Sequence, residues 1–478
     1  MRAPKSSRRL DDAASSGPGT DLKLAIEYVP LSKLRGVLRN ARTHSPRQIE
    51  QIVESIKAFG FVSPIIINQE GEIIAGQGRL AAAKRLNLSE VPVVRIEHLG
   101  EVEIRALRIA DNRLAELAGW DEELLSLEFK DLLELDLSLD LSFDLAVTGF
   151  DTPEVDRFIA KSEADADDPD DVAPEPEASH APVSRLGDLW ILGPHKLICG
   201  DSRDASVFAA LMGEERAAMG VHDAPYNVSV NKHVSRSGRH DEFVMGVGEM
   251  SCEEFAAFNT AWLRQAASYS KQGAYQLAFM DWRHMQELLT AGRRAELELK
   301  NLAVWDKGVG AMGSLLRSQH ELVFLFKEPS AAGVNNVQLG KFGRNRTNVW
   351  KYPGAVGLRK ELELHPTPKP VALVADAILD VSNRNDLVLD CFSGSGTTIM
   401  AAERTGRRAR VIELDPQYVD VAIQRWEEKT GESARHVNGP TFAEIAVTRS
   451  AMEAPLPESA EASSADQPVR VRKRMRAA

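Results

Sequence analysis

The sequence predicts an α/β protein built of two domains: a larger α/β domain over residues 183–447, preceded by a small α+β domain over 22–118. Three observations carry this. From residue 186 onward strand and helix signals alternate, as they do when helices cover a mostly parallel sheet. A short apolar strand, Leu387-Val388-Leu389-Asp390, runs through a glycine turn into a helix beginning near Thr397. Residues 160–182 interrupt the pattern with acidic residues and with Pro169, Pro174 and Pro176, which leave no apolar periodicity and mark a self-repelling linker.

Taken in order, residues 1–21 are rich in Ser, Gly, Pro and Asp, and are expected to be a disordered tail. In the small domain, Ile49, Ile52, Val53, Ile56 and Phe59 recur at helical spacing. Pro64-Ile65-Ile66-Ile67 and Glu72-Ile73-Ile74-Ala75 read as strands about a turn, 80–86 as a helix and 91–96 as another strand. Residues 100–118 and 122–134 read as helices, with 119–159 a helical connector. In the large domain, strands are predicted at 219–222, 275–280, 302–305, 322–326, 387–390 and 410–413, and helices at 252–268, 284–291, 369–381, 397–405 and 416–429. Thr430-Gly431 stops the last helix. Residues 448–478 form an expected disordered tail ending in Arg470, Arg472, Lys473, Arg474 and Arg476.

Composition narrows the function. The net charge of -12 disfavours a generic phosphate binder, so a nucleic-acid enzyme of this balance must concentrate positive charge locally. Cys199, Cys252 and Cys391 are scattered and lack C-x-x-C spacing. That argues against a disulfide framework or a cysteine zinc site and fits a reducing cytoplasm; no metal site is expected. No apolar run approaches the ~20 residues that span a bilayer, so no membrane partner is expected.

Two motifs carry chemistry. Phe392-Ser393-Gly394-Ser395-Gly396 between a strand and the Thr397 helix lets a ligand approach the backbone closely. Glu413, at the end of the next strand, is placed to bind the two hydroxyls of a ribose. G-x-G without the third glycine points away from a dinucleotide pyrophosphate and toward a nucleoside with an uncharged linkage, such as S-adenosylmethionine. A tight turn of any α/β fold is the alternative. The second motif, Asp223-Ala224-Pro225-Tyr226, follows the strand at 219–222. The exocyclic amine of a base is a poor nucleophile because its lone pair is delocalised. The Asp223 carboxylate and the Ala224 carbonyl can accept its two N–H bonds and free that lone pair, and Tyr226 offers an aromatic face to a flipped base. A strand-end turn is the alternative.

Together these pieces resemble the permuted β class of DNA amino-methyltransferases. That family carries a D-P-P-Y motif, then H-P-T-x-K-P, then F-x-G-x-G-T, then an acidic residue. The same order is present here in Asp223 to Tyr226, in His365-Pro366-Thr367-Pro368-Lys369-Pro370, in Phe392 to Thr397 and in Glu413. The resemblance covers roughly residues 184–430 and includes Ser318-Gln319-His320-Glu321 and Asp281-Trp282-Arg283-His284. It implies a Rossmann-like domain that uses S-adenosylmethionine and acts on double-stranded DNA, and relatives are often homodimers. It places His365, Thr367 and Lys369 near the methionine end of the cofactor, and Asp390, Phe392, Gly394, Gly396, Thr397 and Glu413 around it. Ala224 departs from the family's first proline. It keeps the carbonyl and loses the fixed φ, so a looser grip is expected. Asp223, rather than serine, implies adenine N6, with cytosine N4 the nearest rival. Lys232, Arg236 and Arg239, and Lys341, Arg344 and Arg346, are two candidate phosphate-binding clusters; a solvated surface is the alternative for each.

Residues 25–115 resemble the ParB/sulfiredoxin-like N-terminal domain through Val29-Pro30-Leu31-Ser32-Lys33-Leu34, Phe61-Val62-Ser63-Pro64-Ile65 and Ile74-Ala75-Gly76-Gln77-Gly78-Arg79. The resemblance makes Gly76, Gln77, Gly78 and Arg79 a nucleotide-phosphate box. No cysteine precedes Cys199, which excludes sulfiredoxin chemistry. Gln77 and Gly78 break the G-E-R-R box of CTP-hydrolysing partition proteins, so a folded adaptor is the leading expectation. A nucleotide-responsive DNA-binding protein with an idle methyltransferase fold is the rival of another class.

Overall fold

The computed structural model describes residues 24–36, 42–139, 145–162, 169–171, 181–228, 248–310, 315–341, 344–354 and 369–453. The chain divides into two units. The first comprises residues 1–166 with 335–346, and the second 167–334 with 347–478.

The first unit holds a four-stranded sheet of β1 (Ile26–Pro30), β2 (Ile65–Ile67), β3 (Ile73–Ala75) and β4 (Glu90–Arg95), in the order β1-β4-β2-β3. Its helices are α1 (Pro46–Phe59), α2 (Gln77–Arg85), α3 (Glu101–Leu117), α4 (Glu122–Leu139) and α5 (Thr152–Ser162). Helix α1 starts where Ser45 Oγ accepts the Gln48 N–H at 3.1 Å and Pro46 occupies the first turn. It ends at Gly60, whose φ of 79° suits only glycine well. Ile65, Ile67, Ile73, Leu80, Val91 and Val93 form the core beneath the helices. Helix α2 begins earlier than its apolar pattern indicates, because Gly76 at φ 102° turns the chain directly from β3 into it. The stretch expected as a connector has a core of its own: Phe129, Val155, Phe158 and Ile159 are buried, and Phe150 meets the Phe129 and Phe158 rings edge-on.

The second unit is one ten-stranded sheet with helices on its faces. In chain order its elements are β5 (Leu189–Leu192), β6 (His195–Cys199), α6 (Ala205–Met212), β7 (Ala217–His222), α7 (Cys252–Ser268), β8 (Ser270–Met280), α8 (Met285–Arg294), β9 (Glu298–Asp306), β10 (His320–Lys327) and β11 (Val349–Lys351). There follow α9 (Val371–Val381), β12 (Leu387–Asp390), α10 (Thr397–Thr405), β13 (Arg408–Glu413), α11 (Pro416–Thr430), β14 (Arg435–His436) and α12 (Phe442–Glu453). The strand order is β11-β9-β10-β8-β7-β12-β13-β6-β5-β14. Strands β8, β7, β12, β13 and β6 run parallel, and their largely apolar sequences are covered on both faces. Helices α7, α9, α10 and α11 lie where the apolar spacing puts them. The β5–β6 pair carries no clear sequence signal because His195 and Lys196 break its apolar run. His195 is nevertheless fully buried, bonded through Nε2 to Glu403 at 2.8 Å and accepting the Ala409 N–H at Nδ1.

Part of the expected linker is not self-repelling. Asp170 is buried, with Lys429 Nζ at 2.8 Å and Arg404 Nη2 at 2.5 Å, and Asp171 accepts the N–H of Val371 at the start of α9. Asp170 finds its countercharges on α10 and α11, which sequence-local charge counting does not show.

Candidate active site

The sheet reverses direction between β7 and β12. These strands are parallel neighbours, with Met219 opposite Val388 and Gly220 opposite Leu389. From β7 the chain next pairs at β8 on one side; from β12 it next pairs at β13 on the other. Loops leaving the carboxyl ends of two such strands splay apart and open a crevice, where ligands of open α/β sheets bind. Asp223 to Tyr226 leaves β7 at this point and the Phe392 to Gly396 loop leaves β12. Folding therefore closes the long sequence gap between the two motifs.

His222 ties the strands together. It is fully buried, its Nδ1 accepts the Cys391 N–H at 3.2 Å and its Nε2–H donates to Gln276 Oε1 at 2.8 Å. This fixes the neutral tautomer, and burial pushes its pKa down to about 4.

The loop after β12 is shaped by two carboxylates. Gly394 (φ 51°) and Gly396 (φ 87°) are both left-handed. A Cβ on Gly396 would lie 2.9 Å from the Ala422 Cβ, so only glycine lets α11 approach. Glu413 Oε2 accepts the Gly394 N–H at 2.7 Å and Oε1 the Asp415 N–H at 2.9 Å; each oxygen keeps a lone pair for a hydroxyl. Ser393 Oγ is buried without a hydrogen-bond partner, a polar atom waiting for a ligand. Asp390 is turned inward, accepting from the Phe392 N–H at 2.9 Å and the Thr398 hydroxyl at 2.6 Å. Burial pushes its carboxyl up to about 7, against those two bonds and with help from the charges of Asp223 and Glu413. Phe392 meets the Trp262 ring edge-on at 5.3 Å, and Thr397 is buried at the first turn of α10. Asp390 and Thr397 thus build the loop wall.

Asp390 and His222 give opposite pH slopes. The neutral histidine contributes stability that is present above about pH 6.5 and is lost as pH falls toward 4. The raised carboxyl contributes stability that is present below its unfolded value of 3.8 and is lost as pH rises through about 7. Asp390→Asn removes the second slope. Relative to the native chain it should lose about 2 kcal/mol between pH 6.5 and 5. Urea midpoints at the two pH values check this; parallel midpoints would mean that Asp390 is ionised in the folded state.

Beside the tetrapeptide lies a cluster that no sequence motif assembles. Asp223 Oδ2 pairs with Lys369 Nζ at 2.8 Å, and Oδ1 lies 2.9 Å from the Tyr226 hydroxyl. The same hydroxyl is 2.8 Å from Glu321 Oε2, which also pairs with Lys369 at 3.1 Å, while Lys307 bonds Glu321 Oε1. Burial alone would raise the Glu321 carboxyl, but Lys369 and Lys307 hold it down at about 2. Burial would lower the Lys369 ammonium, but Asp223 and Glu321 hold it above its ordinary range. Burial and the two carboxylates keep the Tyr226 phenol protonated. Lys369 also lies 5.3 Å from the centre of the Tyr226 ring. Lys369, expected near the methionine end of the cofactor, pairs with the Asp223 carboxylate. Ala224 is buried in the core with its backbone carbonyl retained, and Pro225 is half-buried. Asn227, at φ 55°, holds residues 248–250: its Oδ1 accepts the Gly248 and Met250 N–H groups, and its Nδ2 donates to the Met250 carbonyl.

His365 and Thr367, and all of Lys232, Arg236 and Arg239, lie outside the described residues. Of the second basic cluster, Lys341 is exposed but Arg344 is buried, so Arg344 is not an open phosphate contact. In the first unit, Gly76 is left-handed and Gly78 is buried, where a Cβ would come within 3.0 Å of Ile52. Gln77 Nε2 and Arg79 Nε are buried without hydrogen-bond partners, and burial lowers the Arg79 pKa. Glu321 and Lys307 carry a weak signal: a Trp-Asp-Lys run ends one strand and a His-Glu pair opens the next, but nothing local says that they meet.

A DNA methylase family profile matches residues 218–424, a ParB N-terminal domain profile residues 19–113 and a ParB-methyltransferase HTH domain profile residues 123–186. The chain is 51% identical over 77 residues to the ParB-like nuclease domain-containing protein YnaK of Escherichia coli (strain K12), covering 16% of this chain and 88% of that protein. It is 40% identical over 90 residues to the DNA adenine methyltransferase YhdJ of the same organism, covering 19% of this chain and 31% of that one. It is 28% identical over 238 residues to the Type II methyltransferase M2.DpnII of Streptococcus pneumoniae, covering 47% and 87%. The fold defines a doubly wound α/β domain with the Asp223 carboxylate at its switch point. Over residues 218–424 the chain matches the N6/N4 DNA methylase family, and it carries an N-terminal ParB-like domain. The HTH match includes α4 from residue 123 and α5, and runs from the stretch expected as a connector through the expected linker to residue 186. S-adenosylmethionine is the methyl donor of this family, and the glycine loop, the Glu413 lone pairs and the orphaned Ser393 hydroxyl fit it.

Proposed function

We propose that this chain methylates N6 of adenine in double-stranded DNA. One observation carries the reading: the Asp223 carboxylate stands at the end of β7 beside the glycine loop of β12, across the sheet's reversal point. Gly394, Gly396, Ser393 and Glu413 hold S-adenosylmethionine, which when bound supplies an electrophilic methyl group on a sulfonium. Tyr226 receives the flipped base against its ring, at a cost of a few kcal/mol for unstacking. Asp223 and the Ala224 carbonyl accept the two N6–H bonds, drawing the nitrogen toward tetrahedral geometry. The Asp223 carboxylate then offsets the positive charge that grows on nitrogen and takes the departing proton first. Asp223 at this position, and the 40% identity to a DNA adenine methyltransferase, support adenine over cytosine. The ParB-like domain and the HTH segment serve, in this reading, to place the catalytic unit on DNA, with the Gly76 to Arg79 box as a nucleotide-phosphate site.

The test is label transfer from S-adenosylmethionine to unmethylated DNA, followed by digestion to nucleosides. N6-methyladenine is expected. N4-methylcytosine would overturn the base assignment, and no transfer by the intact chain would leave an idle fold that only binds DNA.

A further inference from the structure

We infer that Glu321 is a positioning residue that sets the acceptor strength of Asp223, an inference that rests on the function proposed above. Two carboxylates and two ammonium groups meet here, Glu321 and Lys369 mostly buried and Asp223 and Lys307 partly exposed, an arrangement costly enough that a purely apolar packing would hold the strands at least as well. Their connectivity suggests its use. Both oxygens of Asp223 are engaged by donors, Oδ1 by the Tyr226 hydroxyl and Oδ2 by Lys369. Both donors are shared with a single atom, Glu321 Oε2. A phenol has one proton and donates it to one carboxylate at a time. While Glu321 takes it, Asp223 Oδ1 keeps its lone pairs for an incoming N–H. Glu321 likewise draws Lys369 partly off Asp223, and Lys307 holds Glu321 ionised so that it can do both.

Glu321 reaches this place from the second residue of β10, separated from β7 by β8, while Lys307 follows β9 and Lys369 precedes α9. The Glu321 carboxylate bonds to the two groups that hold Asp223 and to Lys307, none of which is a residue of the glycine loop. Its removal should therefore act on the chemical step and leave cofactor binding alone. Glu321→Gln keeps the shape and removes the charge, so the Tyr226 proton and Lys369 both turn to Asp223 and compete with the amine.

Single-turnover methylation by Glu321→Gln is expected to fall about 10²-fold, the scale of a misplaced catalytic group. The Kd for S-adenosylmethionine should stay within about twofold. Tyr226→Phe keeps the ring and removes the competing proton, so it should stay within about threefold of the native rate, and the double variant should be faster than Glu321→Gln alone by about tenfold. A Glu321→Gln rate within about threefold of the native chain, or a cofactor Kd that weakens in step with the rate, overturns the inference. If Glu321→Gln does not fold, a Tyr226→Phe rate more than about tenfold below native overturns it instead, because the hydroxyl would then help the transfer rather than compete with it. The function itself fails by a separate result: no transfer by the native chain, or normal transfer by Asp223→Ala.

Discussion

Asp223→Ala is expected to slow methyl transfer by about 10³-fold or more, the scale of losing a preorganised group at a developing charge. The substitution removes the side-chain acceptor and the nearest countercharge to the reacting nitrogen together. The Ala224 carbonyl remains, but one acceptor cannot draw the amine out of conjugation. The proposed cofactor loop is built from Glu413, Gly394 and Asp390, none of which bonds to Asp223, so S-adenosylmethionine should bind with nearly native affinity. Stability should move less than activity. Lys369 loses one of two anionic partners and keeps Glu321, and the Asp223 side chain is 38% exposed, so solvent screens much of the lost pairing. Single-turnover label transfer and equilibrium cofactor binding, measured on the same preparation, separate the two effects. Transfer at the native rate would remove Asp223 from the mechanism.

The second large effect is structural and falls on a residue with no side chain. Gly220→Ala should destabilise the second unit by about 2–4 kcal/mol and abolish cofactor binding under mildly denaturing conditions. A Cβ at 220 would stand 2.2 Å from Gln276 Oε1 and 2.3 Å from His222 Nε2. Both side chains are fully buried, and their mutual hydrogen bond links β7 to β8 while His222 Nδ1 links β7 to the start of the glycine loop. The added methyl has no flexible neighbour to push aside, so either the bond breaks or the strands separate. Urea midpoints of the two chains test this. An unchanged midpoint would mean that the histidine bridge yields easily and does not hold the crevice.

Much of the site is legible in the sequence. The glycine loop stands out because a strand, two glycines and a helix start are all local signals. Asp223 to Tyr226 is weak alone and becomes specific through its order ahead of His365 to Pro370, Phe392 to Thr397 and Glu413. The roles are less legible than the residues. The motif that contains Lys369 points to the cofactor, yet its ammonium sits on Asp223. Asp390 and Thr397 are expected as cofactor contacts; the structure adds that Asp390 bonds back into its own loop and that Thr397 is buried at the start of α10. Arg344 is expected among surface cations, yet it is buried. The Lys369 pairing has a plain cause: a side chain of several bonds can reach a partner that no sequence distance suggests.

The amino-acid sequence by itself determined the alternation of strands and helices, the left-handed glycines that open the cofactor loop and the carboxylate offered to an amine, because backbone preference and side-chain chemistry are properties of neighbouring residues. Only the tertiary structure decided that β7 and β12 lie side by side, that His222 bridges them and that Glu321 shares Tyr226 and Lys369 with Asp223. Those facts come from register and burial across strands far apart in the chain, where charge pairing and desolvation, not local propensity, select the partner.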